Sequence, residues 1–309
     1  MKLYQVIDGF INSFSHSSIN SICQQIESLS YQDVIGFFKQ EYLSQELINN
    51  VKTNLFSLML GYLMFDEIVL SKSKREVTNF VKRSYKLTGC YVVPGVSIVV
   101  LVWTDGNIRI PIRFRIQLNG EKANQSALYL LSWYRNKISK QIKYVAFDSG
   151  FASEKVFKRI NDYGWCFVTR LPKSRQFNGK KIFKTHRGGY WNKVGYLSNG
   201  FKVKAVRRKD KFYITNKLNL EANKIVEMYR KRAIIEEVFR VLKQECHWSR
   251  CQLRDYKAYE NYYIIGNISF LCLEYMRLQG FALTIYQIRR NILFYHINIP
   301  ILYFKKVLA

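Results

Sequence analysis

Two carboxylates stand where apolar strands run out: Asp66 behind Leu63-Met64-Phe65, and Asp148 behind Val145-Ala146-Phe147. A third, Glu236, lies in a stretch of helical periodicity that also carries Tyr229, Arg232 and Lys243. From Tyr229 the offsets are 3, 7 and 14 residues. At about 100° per residue these side chains fall within roughly 60° of one another, on one stripe. Ile235, Val238, Phe239 and Leu242 fill the adjacent stripe, so one face anchors the helix and the next presents an acid flanked by two cations and a phenol. Taken singly, either Asp reads more readily as a turn former, and Arg232 with Glu236 as an ordinary i,i+4 ion pair. Taken together, the three acids are hard oxygen donors of the kind that crowd only when a divalent cation relieves their repulsion. Two Mg²⁺ ions about 4 Å apart, with Mn²⁺ as a substitute, can activate a water or a 3′-hydroxyl on one side of a phosphodiester and steady the leaving oxygen on the other. The chemistry indicated is phosphoryl transfer on a nucleic acid.

The charge agrees. Among 309 residues, 49 Lys+Arg against 22 Asp+Glu leave a formal charge of +27, which calls for a polyanionic partner. With 48% hydrophobic and 16% aromatic residues the chain is too apolar for a disordered basic tail. The cations fall in blocks: Lys72, Lys74, Arg75, Lys82, Arg83 and Lys86; Arg135, Lys137, Lys140 and Lys143; Lys173 to Arg187; and Lys202 to Lys211. Folded onto one face, these would bind phosphates. The longest apolar run, Val92 to Trp103, is broken by Pro94, Gly95 and Ser97, too short for a membrane helix. Asp8 and Asn12 interrupt any signal peptide, so a cytoplasmic protein with no membrane partner is expected. Six dispersed cysteines read as reduced thiols, and Cys246, His247 and Cys251 lack zinc-ligand spacing.

The elements that must position the acids follow from periodicity. Residues 1–60 read as a small all-helical region, with Ser15-His16-Ser17-Ser18 and Ser28-Leu29-Ser30 as turn and N-cap material. Strands are expected at Leu63–Asp66, Val96–Thr104 and Ile108–Leu118, the last two joined by an Asp105-Gly106-Asn107 turn. Helix Gln125–Lys140, strand Tyr144–Phe147, helix Ser153–Tyr163 and strand Cys166–Arg170 then alternate, which means parallel crossovers and an α/β sheet. Residues 173–216 return to short basic strands ending in a hairpin over Phe201–Ile214. Helices follow at Leu220–Gln244 and Tyr256–Gln279, and the last 30 residues read as apolar strand or helix.

Tyr229-x2-Arg232-x3-Glu236-x6-Lys243, with the doubled acid Glu236-Glu237, resembles the YREK signature of DDE transposases encoded by bacterial insertion sequences. Tyr62–Asp66 resembles the family's first-Asp strand, Trp103-Thr104-Asp105-Gly106 its hairpin, Phe147-Asp148-Ser149-Gly150 its second-Asp strand, and Phe167–Arg170 the strand after it. The resemblance covers about residues 60 to 278. It implies an α/β, RNase H-like catalytic core carrying a β-rich insertion and preceded by the small helical region. The divisions are 1–60, 61–172, a basic insertion at 173–217, the Glu-bearing helix and rest of the core at 218–280, and 281–309. It implies that Asp66, Asp148 and Glu236 are the catalytic metal ligands and that Tyr229, Arg232, Lys243 and Arg170 hold DNA. It implies a homodimer on DNA that binds terminal inverted repeats, excises the element by cut-and-paste chemistry and joins it to target DNA in the bacterial nucleoid. The sequence departs from the family where Asp66 is followed by Glu67-Ile68, leaving Glu67 as an alternative ligand. Trp191, Tyr190 and Phe212 stand as alternatives for a base-stacking aromatic.

Overall fold

Leu63, Met64 and Phe65 are all fully buried, which requires protein on both faces of their strand, as at the centre of a sheet with parallel neighbours. A computed structural model of the chain describes residues 3–13, 19–24, 30–40, 43–56, 60–71, 81–86, 91–138, 142–184 and 189–295. In it that strand, β1 (Gly61–Ser71), is central. On one side it pairs antiparallel with β3 (Tyr91–Thr104), whose outer edge carries β2 (Val81–Lys86) and β4 (Arg109–Ile116). On the other it pairs parallel with β5 (Ile142–Phe147), which pairs parallel with β6 (Phe167–Leu171). This is the mixed α/β sheet expected of an RNase H-like core.

The basic segment after β6 extends that sheet. β11 (Lys211–Thr215) pairs antiparallel with β6, and β10 (Lys202–Arg208) and β9 (Tyr190–Tyr196) follow outward, giving nine strands. Among the described residues, only β7 (Gln176–Phe177) and β8 (Lys180–Lys181) form a separate small pair. Helices α5 (Ala123–Lys137) and α6 (Glu154–Asp162) cover one face of the sheet; α7 (Ala222–Arg230) and α8 (Ala233–Gln244) cover the other.

The helical region α1 (Leu3–Asn12), α2 (Ile19–Gln24), α3 (Tyr31–Gln40) and α4 (Glu46–Leu55) gathers around α9 (Tyr256–Leu278), with α1, α3 and α4 touching it directly. The long helix α9 also meets α8, β4 and α10 (Ile285–Tyr295) and is buried nearly all round, as its largely apolar sequence requires. Ser30 caps α3 by accepting from the Asp33 N–H at 3.2 Å. The end of α1 is pinned by two buried side chains from later in the chain, His247 and Arg289. His247 Nε2 lies 3.0 Å from both Ser13 Oγ and the Phe10 carbonyl, and Arg289 donates to the Ser13 carbonyl at 2.6 Å. Burial, aided by the Arg289 charge, pushes the His247 imidazole down to about 3, so it is a neutral core histidine between the buried thiols Cys246 and Cys251.

Two expectations need correction. The helix expected over Leu220–Gln244 is two helices, because the backbone tightens at Lys231–Arg232 into i→i−3 hydrogen bonds: Arg232 N to Tyr229 O, Ile234 N to Lys231 O and Ile235 N to Arg232 O, each 3.0 Å. β1 does not end at Asp66 but runs on to Ser71, because Ile68 and Leu70 keep one face buried. Lys82, Arg83 and Lys86, read only as a basic block, belong to strand β2. The expected turn Ser15–Ser18, Ser28-Leu29, the cations Lys72, Lys74, Arg75, Lys140 and Arg187, and residues 296–309 lie outside the described residues.

Candidate active site

The β1–β5 register pairs Phe65 with Phe147, whose rings stack 4.9 Å apart toward α6. Side chains alternate along strands, so the next residues, Asp66 and Asp148, turn to the opposite face, under α7 and α8. Four residues earlier on the same face lie Tyr62 and Tyr144, their rings 4.6 Å apart. The α7–α8 joint roofs both rungs. Tyr144 Oη donates to the Met228 carbonyl at 3.0 Å and Tyr229 Oη to Asp148 Oδ1 at 3.1 Å. Lys231 Nζ donates to Tyr62 Oη at 3.0 Å, while Arg232 donates to Asp66 and, at 2.7 Å, to Glu236 Oε1. The 3₁₀ turn thus spreads Tyr229 and Arg232 over two strands, where a straight helix would have stacked them on one stripe.

Arg232 is the electrostatic centre. Burial opposes its charge, but Asp66, Tyr229, Asp148 and Glu236 together hold its guanidinium firmly protonated. Asp66 is largely buried, and burial, with a smaller push from Asp148, raises its carboxyl above the usual range despite Arg232. Burial and the adjacent Asp148 charge likewise raise the Tyr229 phenol far above its ordinary value. Among the described residues no three His, Cys, Asp or Glu side chains stand close enough to share one metal ion: Arg232 lies between Asp66 and Glu236. A largely buried carboxylate raised by desolvation and by a second carboxylate would gain from a divalent cation beside it.

The remaining expected residues divide. Arg170, on β6, stands opposite Tyr213 in the β6–β11 register, and the Tyr213 ring packs 5.2 Å from Tyr229. Lys243 lies two turns beyond Glu236 along α8. Glu67 turns to the other face and accepts from Gln117 Nε2 at 2.7 Å, away from the aspartates. Of the three insertion aromatics, Phe212 is buried, Trp191 packs edge-on against Phe177, and Tyr190 is 56% exposed. A cavity of about 400 Å³ opens beside Glu236, walled by Arg208 and Lys211 of the β10–β11 hairpin and by Tyr229, Arg230 and Arg232.

Sequence reasoning missed what holds α8 in place. Arg109, at the start of β4, donates to Glu237 and, through Nε and Nη2, to the fully buried Glu274 of α9 at 3.1 and 2.7 Å. Glu274 also accepts from the Arg109 backbone N–H at 2.9 Å and from Arg277 Nε at 2.9 Å. Glu236 is exposed and Glu237 is tied down, so the doubled acid has two different jobs. The available signal was Glu274, a carboxylate within the apolar run Tyr262–Met276, since such groups are seldom buried unless paired.

The family model of the transposase DDE domain matches residues 75–272, a span that holds Asp148 and Glu236 and begins after Asp66. No curated protein matches the chain. Among solved structures the chain is similar to the piggyBac transposase in a synaptic complex with hairpin DNA, at 14% identity and a TM-score of 0.55, over 94% of this chain and 68% of that one. It is also matched to Mos1 in its strand transfer complex (14% identity, TM-score 0.22, 56% and 58% of the two chains) and to the NurA nuclease from Sulfolobus solfataricus (12%, 0.29, 72% and 83%). At 14% identity the first of these shows a shared fold.

Proposed function

The chain belongs to the transposase DDE domain family, and from that premise we propose that it is the transposase of a bacterial insertion sequence of the YREK type, cutting element ends with Asp66, Asp148 and Glu236. Members of the family are metal-dependent enzymes that cut and join DNA. The observation that carries the assignment of residues is the α7–α8 joint: it bonds Tyr229 to Asp148 and Arg232 to both Asp66 and Glu236, beside a cavity walled by cations.

Asp66, Asp148 and Glu236 would hold two Mg²⁺ ions, or Mn²⁺ in their place, which when bound supply Lewis acidity at the phosphorus and at the attacking oxygen. The chain's own cations do the binding. Arg232 pairs with Asp66 and Glu236; its planar fork pairs equally well with phosphate oxygens, so an entering strand can take it over. Arg170, Tyr229 and Lys243 grip the same strand, and the 173–217 segment, continuous with the core sheet, carries Arg208 and Lys211 to the other wall. Water oxygen then bonds to phosphorus as the bond to the 3′-oxygen breaks; the freed 3′-hydroxyl attacks a target phosphorus, expelling the target's own 3′-oxygen. A homodimer holding two terminal inverted repeats in the nucleoid is the working assembly. The division into 1–60, 61–172, 173–217, 218–280 and 281–309 is part of the same reading.

Purified protein incubated with a plasmid carrying the reading frame and its flanking DNA is expected to release the element in Mg²⁺ and not in EDTA. A plasmid left intact in both Mg²⁺ and Mn²⁺ would overturn the reading.

A further inference from the structure

Three hydrogen-bond donors converge at the far rung of the same sheet face. Tyr62 is 8% exposed, its ring packed on Tyr144 and its oxygen accepting from Lys231 Nζ at 3.0 Å. The Lys231 ammonium lies 4.4 Å from the centre of the Tyr62 ring and the Lys143 ammonium 5.1 Å. Both lysines hold the phenol below its ordinary range, the Lys231 hydrogen bond most of all. A phenol oxygen that accepts from an ammonium turns its own O–H outward as a donor. Two ammonium groups and a hydroxyl therefore gather at one phenol. Among the described residues no carboxylate pairs with either lysine, and the nearby Glu227 is engaged by Lys224 at 3.1 Å. Like charges held this close are relieved by an anion. Tyr62 and Tyr144 each precede an active-site aspartate by four residues.

We propose that Tyr62, Lys143 and Lys231 form a phosphodiester-binding site, about 13 Å along the strands from Asp66 and Asp148, that grips the DNA backbone beyond the cleaved end. The separation is well inside one duplex turn of about 34 Å, so one DNA molecule can occupy both places. Lys231 and Arg232 are consecutive, and the same joint that presents the guanidinium to the acids presents the ammonium here. The site rests on the DNA-processing reading above.

The test is fluorescence anisotropy of a short fluorescein-labelled duplex of arbitrary sequence, titrated with protein between 50 and 200 mM salt. The double variant Lys143→Gln/Lys231→Gln is expected to lower the slope of log affinity against log salt by roughly 0.9, the signature of one phosphate. Tyr62→Phe keeps both cations and is expected to weaken binding a few-fold with the slope unchanged. Lys155→Gln/Lys158→Gln, which removes the same charge from α6 on the opposite face, is expected to leave the slope at the parent value. Lys143 is exposed, so Lys143→Gln alone keeps the test standing if the double variant melts early, with a smaller loss of slope expected. Parent-like slopes in the lysine variants, or an equal loss in the α6 variant, would overturn the site while leaving the enzymatic reading intact. A parent protein that binds no duplex at any of these salt concentrations would overturn both.

Discussion

Glu236→Gln is expected to lower the rate of DNA cleavage by about 10³-fold, equivalent to ~4 kcal/mol of barrier, with the fold and duplex affinity little changed. Glu236 is exposed and pairs with Arg232 one helical turn back, a pair worth only a few tenths of a kcal/mol. Its loss therefore costs almost nothing in stability. What the substitution removes is a charged oxygen donor from a centre where charge develops on the transferring phosphoryl group, and that loss appears only in the reaction. Single-turnover cleavage of the plasmid-borne element, with melting measured on the same preparations, checks both halves. Cleavage within tenfold of the parent would remove Glu236 from the catalytic set.

Glu274→Ala is expected to do the reverse. Glu274 is fully buried and accepts from the Arg109 backbone and guanidinium and from Arg277. Removing it leaves Nε and Nη2 of a buried guanidinium, and a peptide N–H, without their acceptor, a change that costs about 3–5 kcal/mol. For a chain of this size that corresponds to a melting temperature lower by roughly 10 °C. Burial disfavours the charge on Arg109, and Glu274 with Glu237 restores it, so Glu274→Gln, which keeps an acceptor but not the charge, should fall between. Denaturant unfolding is the measurement, and a variant within 1 kcal/mol of the parent would mean that the network does not hold α8 and α9 together.

These two glutamates mark how far the sequence could be read. Glu236 was legible because its chemistry is carried by spacing: Tyr229, Arg232 and Lys243 repeat at helical offsets around it. Asp66 and Asp148 were legible because each follows a run of residues apolar enough to be a buried strand. The bend at Lys231–Arg232 was not, since neither Gly nor Pro marks it and both residues keep right-handed helical dihedrals; only the tightened hydrogen bonds reveal it. That bend decides which strand each side chain reaches, so the single stripe inferred from a straight helix misplaces Tyr229 and Arg232 relative to each other. The pairing of β11 with β6 was equally out of reach, because register between distant strands leaves no local trace. The Arg109–Glu274 bond joins residues 165 positions apart, and only the isolated carboxylate in an apolar helix hinted at it.

The central claim is that Asp66, Asp148 and Glu236 form one metal centre. Fe²⁺ supplied in place of Mg²⁺, with ascorbate and peroxide, releases hydroxyl radicals that cut the polypeptide beside the bound ion, and the cut sites can be read by mass spectrometry without knowing the DNA sequence. The parent protein is expected to be cut near residues 66, 148 and 236 together, and Asp148→Asn to lose all three cuts. Cuts elsewhere, or the same three cuts undiminished in Asp148→Asn, would contradict it.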